Sequence, residues 1–222
     1  MKTCVVIPAY NEGDKIIGVL EKAISLADNI IVVDDGSDQK KMAEINFKNI
    51  SGKIIFLRHR INLGKGAALK TGCEAAIKLG AEIIVLMDAD GQHKPEDIPR
   101  FVDKLKKDNL DIVFGSRQIG HDMPLMMMLG NKFLSITSSL LFGIYISDTQ
   151  SGFRAFKSTV YPKIQWNSPR YSIETEMIVN TGKNHLKFGE IEIQTIYHDK
   201  YKGTTIFDGL RILINMIIWR IL

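Results

Sequence analysis

Two carboxylates and an amide stand close together directly after an apolar run in the middle of the chain. Asp88, Asp90 and Gln92 are spaced two residues apart. Carboxylate and amide oxygens suit Mg²⁺ or Mn²⁺, and such an ion keeps coordination positions open for substrate phosphates. The alternative is an acidic turn that caps the next helix. Asp34 and Asp35 end another apolar run. Two acidic strand ends at one sheet edge would repel each other unless a cation or hydrogen-bond donors lay between them. This repulsion favours the metal site over the acidic turn.

Other polar residues that could contact a ligand are less specific. Residues 62–66 are rich in glycine, but they match neither the phosphate-loop pattern G-x-x-x-x-G-K-S/T nor the dinucleotide pattern G-x-G-x-x-G. Arg117 and Arg154 each follow a short glycine-containing turn. A single arginine is more often a surface residue than a ligand, and Lys200 and Lys202 resemble a solvated basic loop. None of these segments predicts a function by itself.

The elements that must position these residues alternate along the first half of the chain. Five apolar runs are predicted strands: 3–7, 30–33, 53–57, 82–87 and 111–114. Between them, the apolar spacing predicts amphipathic helices over 14–27, 64–79 and 95–107. This alternation indicates βαβ units, and therefore an α/β fold with a mainly parallel sheet. Ligands bind such sheets at the carboxyl ends of the strands, which is where the polar segments fall.

The second half of the chain has a different character. Residues 121–147 are rich in Met and Leu, with Asp122 and Lys132 as the only formal charges. A polar segment follows, then a predicted helix over 172–182, a strand over 188–195 and an amphipathic helix over 206–222. Such a last helix can lie in the membrane interface, or it can pack against the domain or a partner subunit. We expect one domain over 1–205, followed by this helix.

Composition and charge exclude several classes of protein. The chain has 222 residues, of which 45% are hydrophobic and 24% are charged. Both fractions are close to the averages for soluble globular proteins, which excludes a disordered chain or a disulfide scaffold. The net charge of +4 is too small to predict nucleic-acid binding, although it suits an anionic ligand or membrane surface. Cys4 and Cys73 lie in apolar runs, as reduced thiols of a cytosolic protein do. The histidines at 59, 93 and 198 lack metal-site spacing and receive no role.

Seven motifs in order make the sequence similar to a known family. Five resemble glycosyltransferase family 2: residues 5–12 (VVIPAYNE), 32–37 (VVDDGS), 62–66 (NLGKG), 88–93 (DADGQH) and 115–117 (GSR). Two more narrow the resemblance to the dolichyl-phosphate mannosyltransferase-like and polyprenyl-phosphate glycosyltransferase-like branch: residues 148–155 (DTQSGFRA) and 173–177 (IETEM).

The resemblance implies a GT-A fold, which is Rossmann-like, and inverting, metal-dependent transfer of a hexose from a UDP- or GDP-linked sugar. Residues 1–117 would bind the nucleotide sugar and 118–205 the acceptor. The residues implied for the donor are Pro8, Tyr10, Glu12 and Asp35 at the base and ribose, with Lys65, Gly66, Asp88 and Ala89 beside them. The residues implied for Mg²⁺ or Mn²⁺ are Asp90 and Gln92, with Asp88 near the metal or the ribose. The residues implied in catalysis are Asp90, Arg117, Asp148, Arg154 and Glu176.

The nature of the acceptor depends on which groups surround it. A hydroxyl must lose a proton and needs a base such as Asp148 or Glu176, whereas a phosphate monoester is already anionic and needs cations to hold it. The second half supplies cations around an apolar segment: Lys132, Arg154, Lys200 and Lys202. We therefore predict a polyprenyl (dolichyl-type) phosphate acceptor, bound by Lys132, Lys200 and Lys202. At some positions where the family pattern has arginine, this chain has lysine. Lysine keeps the positive charge, but it cannot bind a phosphate through the two parallel hydrogen bonds that a guanidinium makes.

Two alternatives of different kinds stay open. One is a family 2 enzyme that acts on a hydroxyl of a glycan or soluble acceptor. The other is a non-catalytic subunit that binds nucleotide sugars, and the intact Asp88, Asp90 and Gln92 set argues against it.

The expected location is the cytoplasmic face of the membrane, with peripheral attachment. The last helix could also contact a second copy of the chain or a membrane protein.

Overall fold

The structure is a computed structural model that describes residues 1–13, 15–38, 52–117, 125–168, 172–194 and 206–221. One seven-stranded sheet runs through this part of the chain. Its strands are β1 (Thr3–Ala9), β2 (Asn29–Asp34), β3 (Ile54–Arg58), β4 (Ile83–Leu86), β5 (Ile112–Arg117), β6 (Arg154–Lys157) and β7 (Phe188–Ile193). Their order across the sheet is β3-β2-β1-β4-β6-β5-β7. Strand β6 is antiparallel to β4 and β5, and the other paired strands are parallel, so the predicted mainly parallel sheet is confirmed.

Helices cover both faces of the sheet. They are α1 (Lys15–Ala23), α2 (Lys65–Lys78), α3 (Ile98–Lys107), α4 (Leu125–Phe142), α5 (Tyr161–Ile164), α6 (Ile173–Lys183) and α7 (Ile206–Ile221). Alternate residues of β1 point into two cores, because side chains alternate across a strand. Val5 and Ile7 pack with α1 and α3, while Cys4 and Val6 pack with α2, α4, α6 and α7. Central strands buried on both faces are continuously apolar, which is why the sequence located them.

Among the elements that the sequence did not predict, α4 and β6 shape the second half. Helix α4 lies in the Met- and Leu-rich segment, where apolar residues occur on buried and exposed faces alike, so that no helical period stands out. Leu134 is buried, whereas Phe133 and Leu140 are exposed. Strand β6 was missed because it has four residues and begins with the charged Arg154. Helix α1 is also shorter than expected and ends at Ala23.

Helix α7 packs against α4 and α6. Its residues Ile212 and Met216 join the core on that face of the sheet. In the part of the chain that the structure describes, no helix is both long and apolar enough to cross a membrane.

The topology brings one end of most strands to a common edge. The parallel strands β1, β2, β4 and β5 end there, and these are the positions at which α/β sheets bind ligands. Antiparallel β6 begins at this edge, so that Arg154 pairs with Leu86 on one side and Phe114 on the other. The short, unpredicted strand therefore carries a polar residue to the same place as the strand ends.

Candidate active site

A lysine held between two carboxylates lies at the centre of this edge. Lys65, the first residue of α2, places its Nζ 2.7 Å from Asp88 Oδ1 and 2.9 Å from Glu174 Oε1. Burial alone would lower the pKa of Lys65, but the charges of Asp88 and Glu174 outweigh burial and hold that pKa above its ordinary value. Burial alone has the opposite effect on a carboxyl group and would raise the pKa of Asp88. The charges of Lys65 and His93 outweigh burial and lower the pKa of Asp88 below its ordinary value. This contact joins the first half of the chain to helix α6.

The turn before β6 closes tightly over the same pair. A Cβ on Gly152 would lie 2.7 Å from Asp88 Oδ2 and 3.1 Å from Lys65 Nζ. Any side chain at this position would therefore displace the ion pair. Gly66 is similarly constrained, since its Cβ would lie 2.7 Å from the carbonyl oxygen of Ser168, and its own carbonyl accepts a hydrogen bond from Trp166 Nε1 at 3.1 Å.

The candidate metal ligands sit on a turn directly after β4. The Asp90 Oδ1 accepts the backbone N–H of Gln92 at 3.0 Å, and Gly91 between them has a φ of +76° that favours glycine. Among the described residues, no three His, Cys, Asp or Glu side chains are grouped as metal ligands. His93 is buried, and its Nδ1 has no hydrogen-bond partner within the described ranges.

These residues fit a divalent cation that is shared with a ligand. Asp90 and Gln92 offer hard oxygen donors and are both partly exposed. Asp88 is engaged by Lys65, so its carboxylate is less available than the sequence suggested. Mg²⁺ is commonly held by one or two carboxylates together with substrate phosphates and waters, and this incomplete donor set matches that pattern.

Arg117 and Asp148 form a bidentate ion pair beside this turn. Arg117 Nε lies 2.6 Å from Asp148 Oδ2, and one terminal nitrogen lies 2.9 Å from Oδ1. The backbone N–H groups of Arg117 and Gln150 donate to the same carboxylate. Burial would raise the pKa of Asp148, but its hydrogen bonds and ion pair with Arg117 lower it. A carboxylate stabilised in this way is a weak base, which disfavours the basic role that the sequence offered for Asp148.

Glu176, the other carboxylate considered as a base, supports a loop. Its Oε1 accepts the backbone N–H of Asn167 at 2.8 Å and its Oε2 accepts that of Ser168 at 2.9 Å. The side chain is buried at the start of α6. Both candidate bases are therefore occupied by hydrogen-bond donors in this structure.

Arg154 lies in the interior of the protein. Only 1% of the residue is exposed, and its guanidinium donates to the carbonyl oxygens of Ser151, Glu174 and Thr149. Its Cζ lies 5.0 Å from the centroid of the Phe114 ring. Burial lowers its pKa to about 10, so the group is still charged at neutral pH. This position differs from the expected contact with a sugar or an acceptor phosphate.

The residues expected around the nucleotide lie at the ends of β1 and β2. Asp35 is buried and accepts hydrogen bonds from His59 Nδ1 at 2.7 Å and from the backbone N–H groups of Leu63 and Gly64 at 3.0 and 2.7 Å. Pro8 and Glu12 are partly exposed, Ala89 is buried, and the ring of Tyr10 is exposed. Lys132 is exposed on α4, whereas Lys200 and Lys202 lie outside the described residues.

Three polar residues of this region were not expected from the sequence. They are His59, which binds Asp35 and also Thr71 Oγ1; Glu174, which binds Lys65; and Asn131, which binds the Asp148 turn. His59 could have been suspected because it follows strand β3. The contacts of Glu174 and Asn131 cross large separations in sequence and carry no local signal.

Comparison with known proteins agrees with this geometry. The model of the family "Glycosyl transferase family 2" matches residues 4–168. A UDP-N-acetylglucosamine–dolichyl-phosphate N-acetylglucosaminyltransferase of Methanococcus voltae is 36% identical over 96% of this chain and 93% of its own. A polyprenol monophosphomannose synthase of Mycolicibacterium smegmatis is 28% identical over 95% of this chain and 83% of its own.

Among solved structures, the fold resembles that of Mycobacterium tuberculosis glucosyl-3-phosphoglycerate synthase in complex with Mn²⁺, UDP and glucosyl-3-phosphoglycerate. The TM-score is 0.72 at 19% identity, over 99% of this chain and 79% of that one. This likeness confirms the predicted GT-A fold. The family match covers most of the chain, and together with the seven ordered motifs it leads to one conclusion: the chain is a glycosyltransferase and belongs to glycosyl transferase family 2.

Proposed function

We propose that this enzyme transfers a hexose from a nucleoside-diphosphate sugar to a polyprenyl phosphate, with inversion at the anomeric carbon. The observation that carries the proposal is the state of the two candidate bases. Asp148 is paired with Arg117, and Glu176 binds two backbone amides. A phosphate oxygen is already anionic near neutral pH and needs no base, so these engagements favour it over a hydroxyl. The names of the dolichyl- and polyprenol-phosphate relatives support the same acceptor class.

We assign the donor to the cleft formed by the first half of the chain. The base and ribose contact Pro8, Tyr10, Glu12 and Asp35. Lys65, Gly66, Asp88 and Ala89 form the adjoining wall, in which Lys65 fixes the Asp88 carboxylate. Asp35 is a preformed acceptor, because His59 and two backbone amides orient its carboxylate.

Asp90 and Gln92 are the proposed ligands of Mg²⁺ or Mn²⁺. When bound, the cation would neutralise the charge that develops on the leaving diphosphate. Asp90 contributes a carboxylate and Gln92 an amide oxygen from one turn, and the backbone hydrogen bond between them keeps that turn closed. Asp88 contributes through Lys65 and not as a direct ligand.

Arg117 faces the transferred group in this proposal. In the reaction, an oxygen of the acceptor phosphate forms a bond to the anomeric carbon. The bond from that carbon to the diphosphate oxygen breaks, and the diphosphate leaves with the electron pair. Arg117 stabilises negative charge on the phosphates, while its pairing with Asp148 sets the direction of the guanidinium. Lys132, together with Lys200 and Lys202, provides further positive charge for the acceptor phosphate.

We also propose that helices α4 and α7 hold the enzyme at the membrane surface. On α4, the side chains of Leu129, Phe133, Ile136 and Leu140 are exposed at helical spacing. On α7, the exposed side chains are Leu210, Ile214, Ile217, Ile218 and Ile221. The exposed cations of the two helices are Lys132, Arg211 and Arg220, and they suit anionic lipid. Amphipathic helices of this kind lie in the interface without crossing the bilayer.

The double substitution Phe133→Ser and Leu140→Ser should weaken binding to anionic vesicles by at least about tenfold, since burying one large apolar side chain contributes roughly 1.5–3 kcal/mol. Vesicle flotation measures this binding. The matched control, Ile77→Ser with Leu79→Ser, alters exposed apolar residues at the far end of α2 and should leave binding unchanged. Unaltered binding of the first variant would contradict the proposal. If the first variant instead converts a dimer to a monomer in solution, the two helices form a subunit interface.

A further inference from the structure

Asn131 uses both ends of its side-chain amide to hold the turn formed by residues 147–149. Its Nδ2 donates to the carbonyl oxygen of Ser147 at 3.1 Å and to Asp148 Oδ1 at 3.3 Å. Its Oδ1 accepts the backbone N–H of Thr149 at 2.9 Å and the Thr149 hydroxyl at 2.8 Å. An amide side chain is required for this pattern, because it combines donors with an acceptor on one rigid group.

The same turn is fixed from its other side by the sheet. The backbone N–H and the hydroxyl of Ser147 donate to Glu190 Oε1 on β7 at 2.8 and 2.6 Å, and Ser147 Oγ lies 2.7 Å from Ser116 Oγ on β5. Asn131 therefore fastens the turn to helix α4. Both ends of the turn are restrained, and Asp148 lies between them.

The orientation of the Asp148 carboxylate depends on this restraint. Its two oxygens face the guanidinium of Arg117 in a bidentate arrangement, and Asn131 Nδ2 approaches the Oδ1 that Arg117 also binds. Bidentate pairs are geometrically demanding, so a small rotation of the carboxylate moves the guanidinium with it.

We infer that Asn131 is a positioning residue for Arg117, acting through Asp148. This inference rests on the proposed role of Arg117 at the transferred group. It also links α4, the helix with the exposed apolar stripe, to the residue that faces the reacting phosphates. A displacement of a catalytic group by about 1 Å can cost about 100-fold in rate, so a residue that never touches the substrate can control turnover here.

The test compares Asn131→Asp with Asn131→Ala. Asn131→Asp keeps the size of the side chain, but it removes the donor and places a carboxyl group against Asp148. We expect kcat to fall at least about tenfold in Asn131→Asp, and no less than in Asn131→Ala, with KM for the donor changed less than about twofold. A role in packing alone predicts the reverse order, because the aspartate variant fills the same volume.

A spectroscopic measurement makes the test independent of transfer. The Nε–H signal of Arg117, assigned by its loss in Arg117→Lys, should exchange with water faster in Asn131→Asp than in the wild type, since the pair with Asp148 is weakened. The matched control is Asn180→Asp on α6, which also loses a side-chain donor, here one that binds the Gln165 carbonyl and not this turn. It should leave both kcat and the Arg117 signal as in the wild type.

The outcomes separate this inference from the proposed function. If the wild type transfers no sugar to polyprenyl phosphate, the proposed function fails, while the Arg117 signal still reports on Asn131. If the wild type is active and Asn131→Asp matches Asn180→Asp in both kcat and the Arg117 signal, the positioning role is wrong. A lower kcat in Asn131→Ala than in Asn131→Asp, with an unchanged Arg117 signal, also overturns it.

Discussion

Asp90→Asn is expected to lower kcat by about 1000-fold and to abolish metal-dependent binding of the nucleotide sugar. Among the candidate ligands, Gln92 is uncharged and the Asp88 carboxylate is paired with Lys65. The substitution therefore removes the one carboxylate of this set that is not paired with a lysine. Loss of the cation would remove several kcal/mol of stabilisation of the leaving diphosphate, and roughly 4 kcal/mol corresponds to about 1000-fold in rate. The fold should persist, because Asp90 is partly exposed and its hydrogen bond is made within one turn.

Thermal shift with UDP- and GDP-linked sugars, in the presence of Mn²⁺ or Mg²⁺, measures this binding. The wild type should be stabilised only when metal and nucleotide sugar are both present. Asp103→Asn is the matched control: it alters an exposed aspartate on α3 and should behave as the wild type. Full activity of Asp90→Asn, or full activity of the wild type in excess chelator, would remove the metal from the mechanism.

Arg154 and Arg117 should respond to substitution in different ways. Arg154→Met is expected to lower the free energy of unfolding by about 3–5 kcal/mol, because it takes a buried charged donor away from several buried carbonyl oxygens. Arg117→Lys keeps the charge but loses the fork that binds Asp148. We expect it to lower kcat by about 100-fold with little change in KM, since a contact made mainly in the transition state is lost.

Chemical denaturation and steady-state kinetics of both variants decide between these roles. The expected pattern is a large loss of stability for Arg154→Met and a large loss of kcat with near-native stability for Arg117→Lys. A natively stable Arg154→Met without transfer activity would mean that this side chain contacts the reacting groups during turnover, as the sequence suggested. A pure KM effect in Arg117→Lys would assign Arg117 to ordinary donor binding.

Much of the fold could be predicted from local pattern, and the reasons are physical. The central strands are buried on both faces, so each is a continuous apolar run. Each helix between them has an apolar face towards the sheet and a polar face towards solvent, which gives a recognisable helical period. Helix α4 lacks that contrast, because an exposed apolar stripe replaces the polar face that usually marks a surface helix. Strand β6 is too short for an alternating pattern, and its antiparallel direction is decided by pairing with β4 and β5.

The candidate site could be predicted by residue type but not by partner. Asp88, Lys65 and Arg117 were expected near the ligand from the motifs, and the structure places them at one edge of the sheet. The pairing of Lys65 with Glu174 spans 109 positions, and that of Arg117 with Asp148 spans 31. Such contacts depend on the topology of the sheet. For the same reason, the burial of Arg154 could not be inferred from its place after a turn.

The most direct test of the central claim is the comparison of two acceptors that differ only in the phosphate. A nucleotide sugar with a labelled hexose is incubated with the enzyme, the divalent cation and vesicles that contain either polyprenyl phosphate or the free polyprenol of the same length. The proposal predicts label in the lipid only with polyprenyl phosphate, joined as a sugar phosphodiester. Equal transfer to the free alcohol, or to simple sugars, would contradict it, and Asp148 or Glu176 would then have to act as a base.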